Sequence, residues 1–441
     1  MNKTLKYFNE IAKIPRCSGN EKNIAKYLCE FAKHKGLEFF ADEFDNVIIK
    51  KKTSNFSPII VQAHTDMVCV KSKDSEVNFE NQGISLCCKK GYLTAIDTSL
   101  GADNGIGVAM ILSLLDENFP MNIEAVFTSS EETTMKGAMN LDYSKLKAKY
   151  ILSLDGSVEN EVVTSSASMT EIEINFESIS KTIEPCNAYC LKLYNFKSGH
   201  SGEDIDKCRL NPISLFFNYF KKNEFNLHDI NINEKSNVLP NEMIAIFSYS
   251  KFDIKDFDNY IKEENERYSE SVKYELFNQI TNNLIDSNFV KKLKSFKNGV
   301  IKKNNQNVIC SCNIYFINLK NSKIKLSLRA NKKSLEEKFL NDLNVHFSNS
   351  KIKILDSKPF FEKSKNNLLL SKLLLTNKNA YEKEIHAGLE GGIFAENIKN
   401  CEICVIGVTI LNMHTINEKV ELNSIKNVYQ WLVKTIQSID F

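Results

Sequence analysis

No apolar run in the 441 residues is long enough to span a bilayer. Neither sign of charge dominates, since 57 basic residues face 55 acidic ones and the net charge is +2. That balance removes the usual reason to expect nucleic acid or an anionic membrane as a partner. The N-terminal stretch from Met1 to Arg16 is short and amphipathic, without the apolar core of a signal peptide, so a cytoplasmic protein is expected. Internal repeats are missing. Only one cysteine pair, Cys401-x-x-Cys404, has metal or redox spacing, no second pair matches it, and Cys404-Val405-Ile406 reads as strand core. The 12 cysteines are scattered, many of them in apolar runs, and are expected as reduced thiols.

What is present is an ordinary globular composition, 42% hydrophobic and 25% charged, in a chain long enough for two or three domains. The central stretch is Leu100-Gly101-Ala102-Asp103-Asn104-Gly105-Ile106-Gly107. It sets Asp103 on a glycine-rich turn ahead of the run Val108 to Leu115, a helix too apolar to be exposed. Upstream, Ser18-Gly19-Asn20-Glu21 fits a capping box, and Gly36 is a fitting stop for the helix that follows.

Acids and histidines follow buried strands repeatedly. Pro58 to Val61 runs into His64-Thr65-Asp66, whose first and third side chains face the same way in an extended segment. Asn122 to Phe127 ends in Glu131-Glu132, Tyr150 to Leu154 ends in Asp155-Gly156, and Ile403 to Ile410 leads to Met413-His414. Strands alternating with helices predict a mainly parallel α/β sheet, which binds ligands at the carboxyl ends of its strands.

From about Lys181 to Pro359 the composition shifts, with more Asn and Lys and less distinct elements, as in an inserted domain. It holds Lys197-Ser198-Gly199-His200-Ser201-Gly202, Asn237-Val238-Leu239-Pro240 and a strand ending at Arg329. Apolar strands and glycine turns then return, with the glycine loop His386 to Gly392 and a closing amphipathic helix through Ile425, Val428, Leu432 and Ile436. The expected division is 1–182 and 361–441 for one domain, with 183–360 inserted.

His64, Asp103, Glu132, Asp155 and His414 are donors suited to zinc, with manganese or cobalt as alternatives. Two divalent ions need a bridging carboxylate and about two further ligands each, and Asp103 with the other four provides that number. Asp66 and one of the two glutamates are then free, the first to orient His64 and the second to act as a general base. The inventory points to metal-assisted hydrolysis.

These stretches, together with Ile14-Pro15-Arg16-Cys17-Ser18 and His64-Thr65-Asp66-Met67-Val68, resemble the aminoacyl-histidine dipeptidases, a branch of the di-zinc metallopeptidase superfamily. The resemblance implies a mixed sheet flanked by helices, with an inserted α+β domain serving as lid and homodimer interface. It implies that His64 and Asp155 hold one metal, Glu132 and His414 the other, with Asp103 bridging. It further implies that Asp66 orients His64 and that Glu131 moves a proton from the attacking water to the leaving amine. His200 would stabilise the oxyanion, often across the dimer. Asn237 would lie nearby, Arg329 would take the substrate carboxylate, and Glu390, Gly391 and Gly392 would line the pocket. A cis peptide between Asp103 and Asn104 is also implied. Two segments depart from the family pattern: Ser165 to Ser168 stands where a glycine-rich turn is common, and Thr415-Ile416 replaces Ser-Pro. The expected activity is hydrolysis of dipeptides, those ending in histidine among them. A related deacylase or tripeptidase, or an inactive metal-binding assembly partner, are the competing readings.

Overall fold

The computed structural model describes residues 3–53, 57–118, 121–177, 179–221 and 224–439. Met1 and Asn2 of the amphipathic N-terminal stretch, and the ends of the expected outer domain, fall outside these. The chain divides into two compact units, one of residues 1–166, 361–384 and 389–441, the other of 167–360 and 385–388. The expected boundary at 182 falls inside the continuous strand Ser180–Tyr194, whose partners belong to the second unit's sheet. His386 likewise lies in the second unit, not in the returning segment of the first.

The first unit is built on an eight-stranded sheet, counted among the described residues. Its order is Glu38–Ala41, Val47–Lys51, Ile123–Thr128, Ile59–His64, Tyr150–Gly156, Glu402–Gly407, Glu161–Ser165 and Tyr381–Glu384. The four central strands pair in parallel, whereas both flanks contain antiparallel pairs. The sheet is therefore mixed, because Val47–Lys51 and Glu161–Ser165 run against the centre. Ile59–His64 is buried at every position, as a strand covered on both faces must be. The helix Ala102–Asp116 is buried almost all round, as its apolar run predicts. Helix Leu422–Ser438 buries Ile425, Val428, Trp431, Leu432 and Ile436 in the same core.

The capping box does not form. Glu21 turns away from Ser18 and accepts Gly19 N–H and both the N–H and hydroxyl of Ser130, at 3.0–3.1 Å. Gly36 does end the helix Lys22–Lys35, at φ +65°. The expectation of free thiols holds for ten cysteines and fails for two, since Cys17 and Cys69 are joined in a disulfide. Their loops run side by side, with a bridge between Cys17 and Met67, and this brings the two Cα atoms to 5.6 Å.

The second unit carries a nine-stranded sheet among the described residues, and its pairs are antiparallel. The strand expected to end at Arg329 is present as Lys323–Ala330. Lys273–Ile285, at the edge of the sheet, is exposed at Lys273, Glu275, Asn278 and Asn282 and also at Phe277 and Ile280. Helices Pro212–Tyr219 and Ile254–Tyr268 cover one face through an aromatic cluster of Phe216, Phe220, Phe247 and Phe257.

Candidate metal centre

In the first unit, the parallel register aligns His64 with Thr128 at the carboxyl ends of neighbouring strands. The loops leaving those ends carry the acids. His64 is fully buried, with Nε2 at 3.1 Å from Asp103 Oδ1 and 3.2 Å from Asp155 Oδ1. His414 Nε2 lies 3.0 Å from Glu132 Oε1 and 3.4 Å from the other Asp103 oxygen, Oδ2. Two donor groups result, His64–Asp103–Asp155 and Asp103–Glu132–His414, and they share Asp103. Each of its oxygens faces a different histidine, as a bridging carboxylate requires. A third group, His64–Glu131–Glu132, places Glu131 beside the same cluster.

The Asp103 turn is clamped from both sides. Glu418 accepts the backbone N–H groups of Leu100, Gly101 and Ala102 at 2.9, 3.0 and 2.9 Å. Buried Arg16 donates to the carbonyls of Thr65 (3.1 Å), Asp66 (3.2 Å) and Gly101, so it ties the His64 segment to the Asp103 turn. Gly101 sits at φ +61°, and a Cβ there would lie 2.5 Å from Arg16 Nη2 and Met67 Sδ, so a side chain would be strained and would displace the Arg16 clamp. The Asp103–Asn104 peptide is cis, as the resemblance implies. Asp66 is buried, with Oδ1 3.3 Å from His64 Nδ1, and it accepts Ser18 Oγ at 2.7 Å.

Glu390, Gly391 and Gly392 lie in the same unit, at the start of the helix Gly391–Asn397. The Glu390 carboxylate is buried, accepting Gln62 Nε2 at 2.7 Å and Thr128 Oγ1 at 2.6 Å, while its Oε1 has no partner among the described residues. His200, Asn237 and Arg329 belong to the second unit. There His200 Nδ1 accepts the N–H of Gly202 and Glu203 at 3.3 and 3.1 Å, which leaves the ring proton on Nε2. That nitrogen lies 3.3 Å from Nη2 of buried Arg329, which places the two side chains together. Asn237 offers its carbonyl to Ser201 N–H at 2.8 Å, and the residue is exposed.

The sequence pattern of peptidase family M20/M25/M40 matches residues 60–438. The chain belongs to that family. It is 26% identical to the cytosol non-specific dipeptidase of Escherichia coli (strain K12), over 98% of this chain and 96% of that one. Among solved structures, the aminoacylhistidine dipeptidase from Vibrio alginolyticus superposes with a TM-score of 0.83 at 24% identity, over 99% of this chain and 96% of that chain. The aminopeptidase PepT from Bacillus cereus superposes at 0.58 with 15% identity, over 99% and 97%. These two likenesses show the M20 fold.

The electrostatics of this M20 centre tests whether metals fit it. Burial alone would lower the His64 pKa, yet Asp155, Asp103 and Asp66 hold it well above its usual value. Hydrogen bonds to Asp103 and Glu132 push His414 up to about 10. Burial works against ionised Asp103, but His414 and His64 outweigh it and hold the carboxyl well below its usual range. Burial raises Asp155 to about 6, and it raises Glu131 well above the carboxylate range, with the Asp155 charge adding to it. The carboxylates of the cluster thus favour positive charge beside them, and both imidazoles respond to it. Nitrogen and carboxylate donors in two triples with a shared bridge suit a pair of divalent cations.

Glu418 escapes a reading of the sequence. Glutamate in a polar loop has no local signature, and its role depends on where the strand Lys419–Glu421 pairs with Tyr92–Ala95. Ser18 has the sequence setting of a helix cap; its hydroxyl serves Asp66 instead.

Proposed function

We propose that the chain hydrolyses dipeptides, including those ending in histidine, with two divalent ions as cofactor, zinc first and manganese or cobalt as alternatives. The observation that carries this reading is the pair of donor triples sharing Asp103. His64 and Asp155 would hold one ion and Glu132 and His414 the other, with Asp103 between them. When bound, the ions supply Lewis acidity and bring water toward a pKa near 7.

The rest is done by side chains of this protein. Asp66 fixes the His64 ring through Nδ1 and leaves Nε2 to ligate. Glu131 takes a proton from the attacking water at its carboxylate and delivers it to the departing amine nitrogen. Its buried setting suits that work, because burial raises the proton affinity of a carboxylate above that of an exposed one. By resemblance, His200 would stabilise the peptide oxygen that gains charge and Arg329 would hold the peptide carboxylate, and the two side chains lie together in the second unit. Asn237, Glu390, Gly391 and Gly392 are assigned to substrate binding on the same resemblance. The second unit as lid and homodimer interface, and a cytoplasmic location, complete the reading.

The test is a panel of dipeptides, tripeptides and N-acyl amino acids offered to zinc-, manganese- and cobalt-reconstituted protein. Dipeptide cleavage well above the other classes is expected. Preference for N-acyl amino acids would make the chain a deacylase. Metal binding without any turnover would make it a non-catalytic relative.

A further inference from the structure

We propose that Cys17 and Cys69 form a reversible thiol–disulfide pair that controls how firmly Asp66 orients His64. The pair joins the loop that precedes the helix Lys22–Lys35 to the segment leaving the strand Ile59–His64. The two Cα atoms stand 5.6 Å apart, within the range a disulfide spans without backbone movement. The segments run alongside each other, with Met67 N–H donating to Arg16 O at 3.1 Å and Ser18 N–H to Met67 O at 3.3 Å.

The bond flanks one contact. Cys17 immediately precedes Ser18, Cys69 lies three residues beyond Asp66, and Ser18 Oγ donates to Asp66 Oδ2 at 2.7 Å. Asp66 in turn stands 3.3 Å from His64 Nδ1. Opening the bond leaves the Ser18 loop held here by the backbone pairs and Arg16, so the hydroxyl gains freedom and the carboxylate loses a fixed donor. Both cysteines are half-buried, within reach of a small thiol, whereas Cys310, Cys312 and Cys404 are fully enclosed. Disulfides in a reducing compartment are rare and are usually catalytic or redox-sensing. The relative in Escherichia coli is named a cytosol enzyme.

The chemistry balances with a low-molecular-weight thiol as reductant. Its thiolate attacks one sulfur and forms a mixed disulfide, and the other cysteine leaves as a thiolate and takes a proton. A second thiol molecule then releases the first cysteine. Two electrons pass to the protein, which holds two thiols, and the reagent becomes its own disulfide.

The metal arm of the test rests on the metallopeptidase reading, and the backbone arm does not. The full chain is equilibrated across ratios of a low-molecular-weight thiol to its disulfide, then quenched. A peptide linking Cys17 to Cys69 should appear and vanish along the series by mass spectrometry. Hydrogen exchange over residues 15–20 and 64–70 should be at least severalfold faster in the reduced protein. Zinc affinity, measured against a chromophoric chelator after the reductant is removed, should be roughly tenfold weaker in the reduced form, the low end of what loss of a ligand's hydrogen-bond partner costs. The Cys17→Ser/Cys69→Ser chain should match reduced protein and ignore the buffer; should it fail to fold, the reduced natural chain gives the same comparison. Absence of the linked peptide across the series, or equal exchange in the two forms, overturns the proposal. A double variant that still responds to thiol overturns it too. Failure to cleave any dipeptide in either state would sink the functional reading and leave the exchange result to decide this one.

Discussion

The Asp66 carboxylate accepts the backbone N–H of Glu131 at 3.0 Å. Its other oxygen takes the N–H of Glu132 at 3.2 Å, and Oδ1 also stands 3.3 Å from His64 Nδ1. One side chain therefore lies against the ring of a candidate metal donor and accepts from the backbone of the proposed base. Separate jobs on neighbouring residues can be separated by mutation.

Glu131→Ala should keep both metals and lose turnover. Removing a general base costs about 10²–10⁴-fold, and the backbone contact to Asp66 survives the substitution. Steady-state kinetics alongside metal analysis checks it. Near-normal kcat with full metal content would move the proton transfer to another group.

Stripping the metals should loosen the first unit. Asp66, Asp103, Glu131, Glu132 and Asp155 lie with two histidines around one centre, and without cations only the imidazoles offset their charge. Ions at a thousandfold excess over Kd stabilise a fold by about 4 kcal/mol per site, worth several degrees of Tm in a unit of this size. Calorimetry before and after chelation, with metal loss verified, should show the drop. An unchanged Tm speaks against the centre.

Glu418→Ala should destabilise more than a typical surface change. It strips the acceptor from the N–H groups of Leu100, Gly101 and Ala102, all buried. Each unsatisfied buried group costs about 1–3 kcal/mol, so a loss of about 3 kcal/mol or more is expected in denaturant unfolding. Glu418→Gln keeps an acceptor oxygen and should recover part of it. A loss under about 1 kcal/mol for the alanine variant would mean water replaces the carboxylate.

His386 should make the second unit acid-sensitive. Burial, aided by the charge of Arg329, lowers its pKa to about 3. Its ring nitrogens are engaged with Asn331 Oδ1 at 2.7 Å and Ser311 Oγ at 2.8 Å. Unfolding restores a value near 6.5, so between pH 6.5 and 3 the unfolded chain binds a proton that the folded one refuses. Stability from this group is fully present above pH 6.5 and is lost as pH falls through that window. The Tm of His386→Gln should fall less steeply than that of the natural chain from about pH 6.5 to about 4.5, inside that window. Parallel curves would assign the acid sensitivity to carboxylates alone.

The candidate metal donors are readable in the sequence because each follows an apolar strand or opens a buried helix. Such placement marks a loop end facing a site, whatever the sheet order. The strand Ile59–His64, the helix Ala102–Asp116 and the closing helix Leu422–Ser438 are readable for a related reason: continuous or periodic burial leaves its imprint along the chain. The inserted region is less legible. Lys273–Ile285 mixes apolar and polar residues without a strict period, and it is defined as a strand by its pairing with Ser180–Tyr194.

Tertiary structure alone decided the contacts between segments far apart in the chain. Ser18 and Glu21 carry the pattern of a helix cap, a local motif worth about 1 kcal/mol. Charge-assisted bonds to Asp66 and to the Ser130 loop override it, because a buried carboxylate or amide left unpaired costs more than a frayed helix end. Cys17 and Cys69 sit 52 positions apart, and only the pairing of Arg16 and Ser18 with Met67 brings their sulfurs together. Glu418 reaches the Asp103 turn for the same kind of reason, through a strand pairing that no local pattern announces. Sequence determines which side chains carry donors, charge and apolar surface. Which of them meet depends on chain segments distant in sequence, whose burial must leave every polar group a partner.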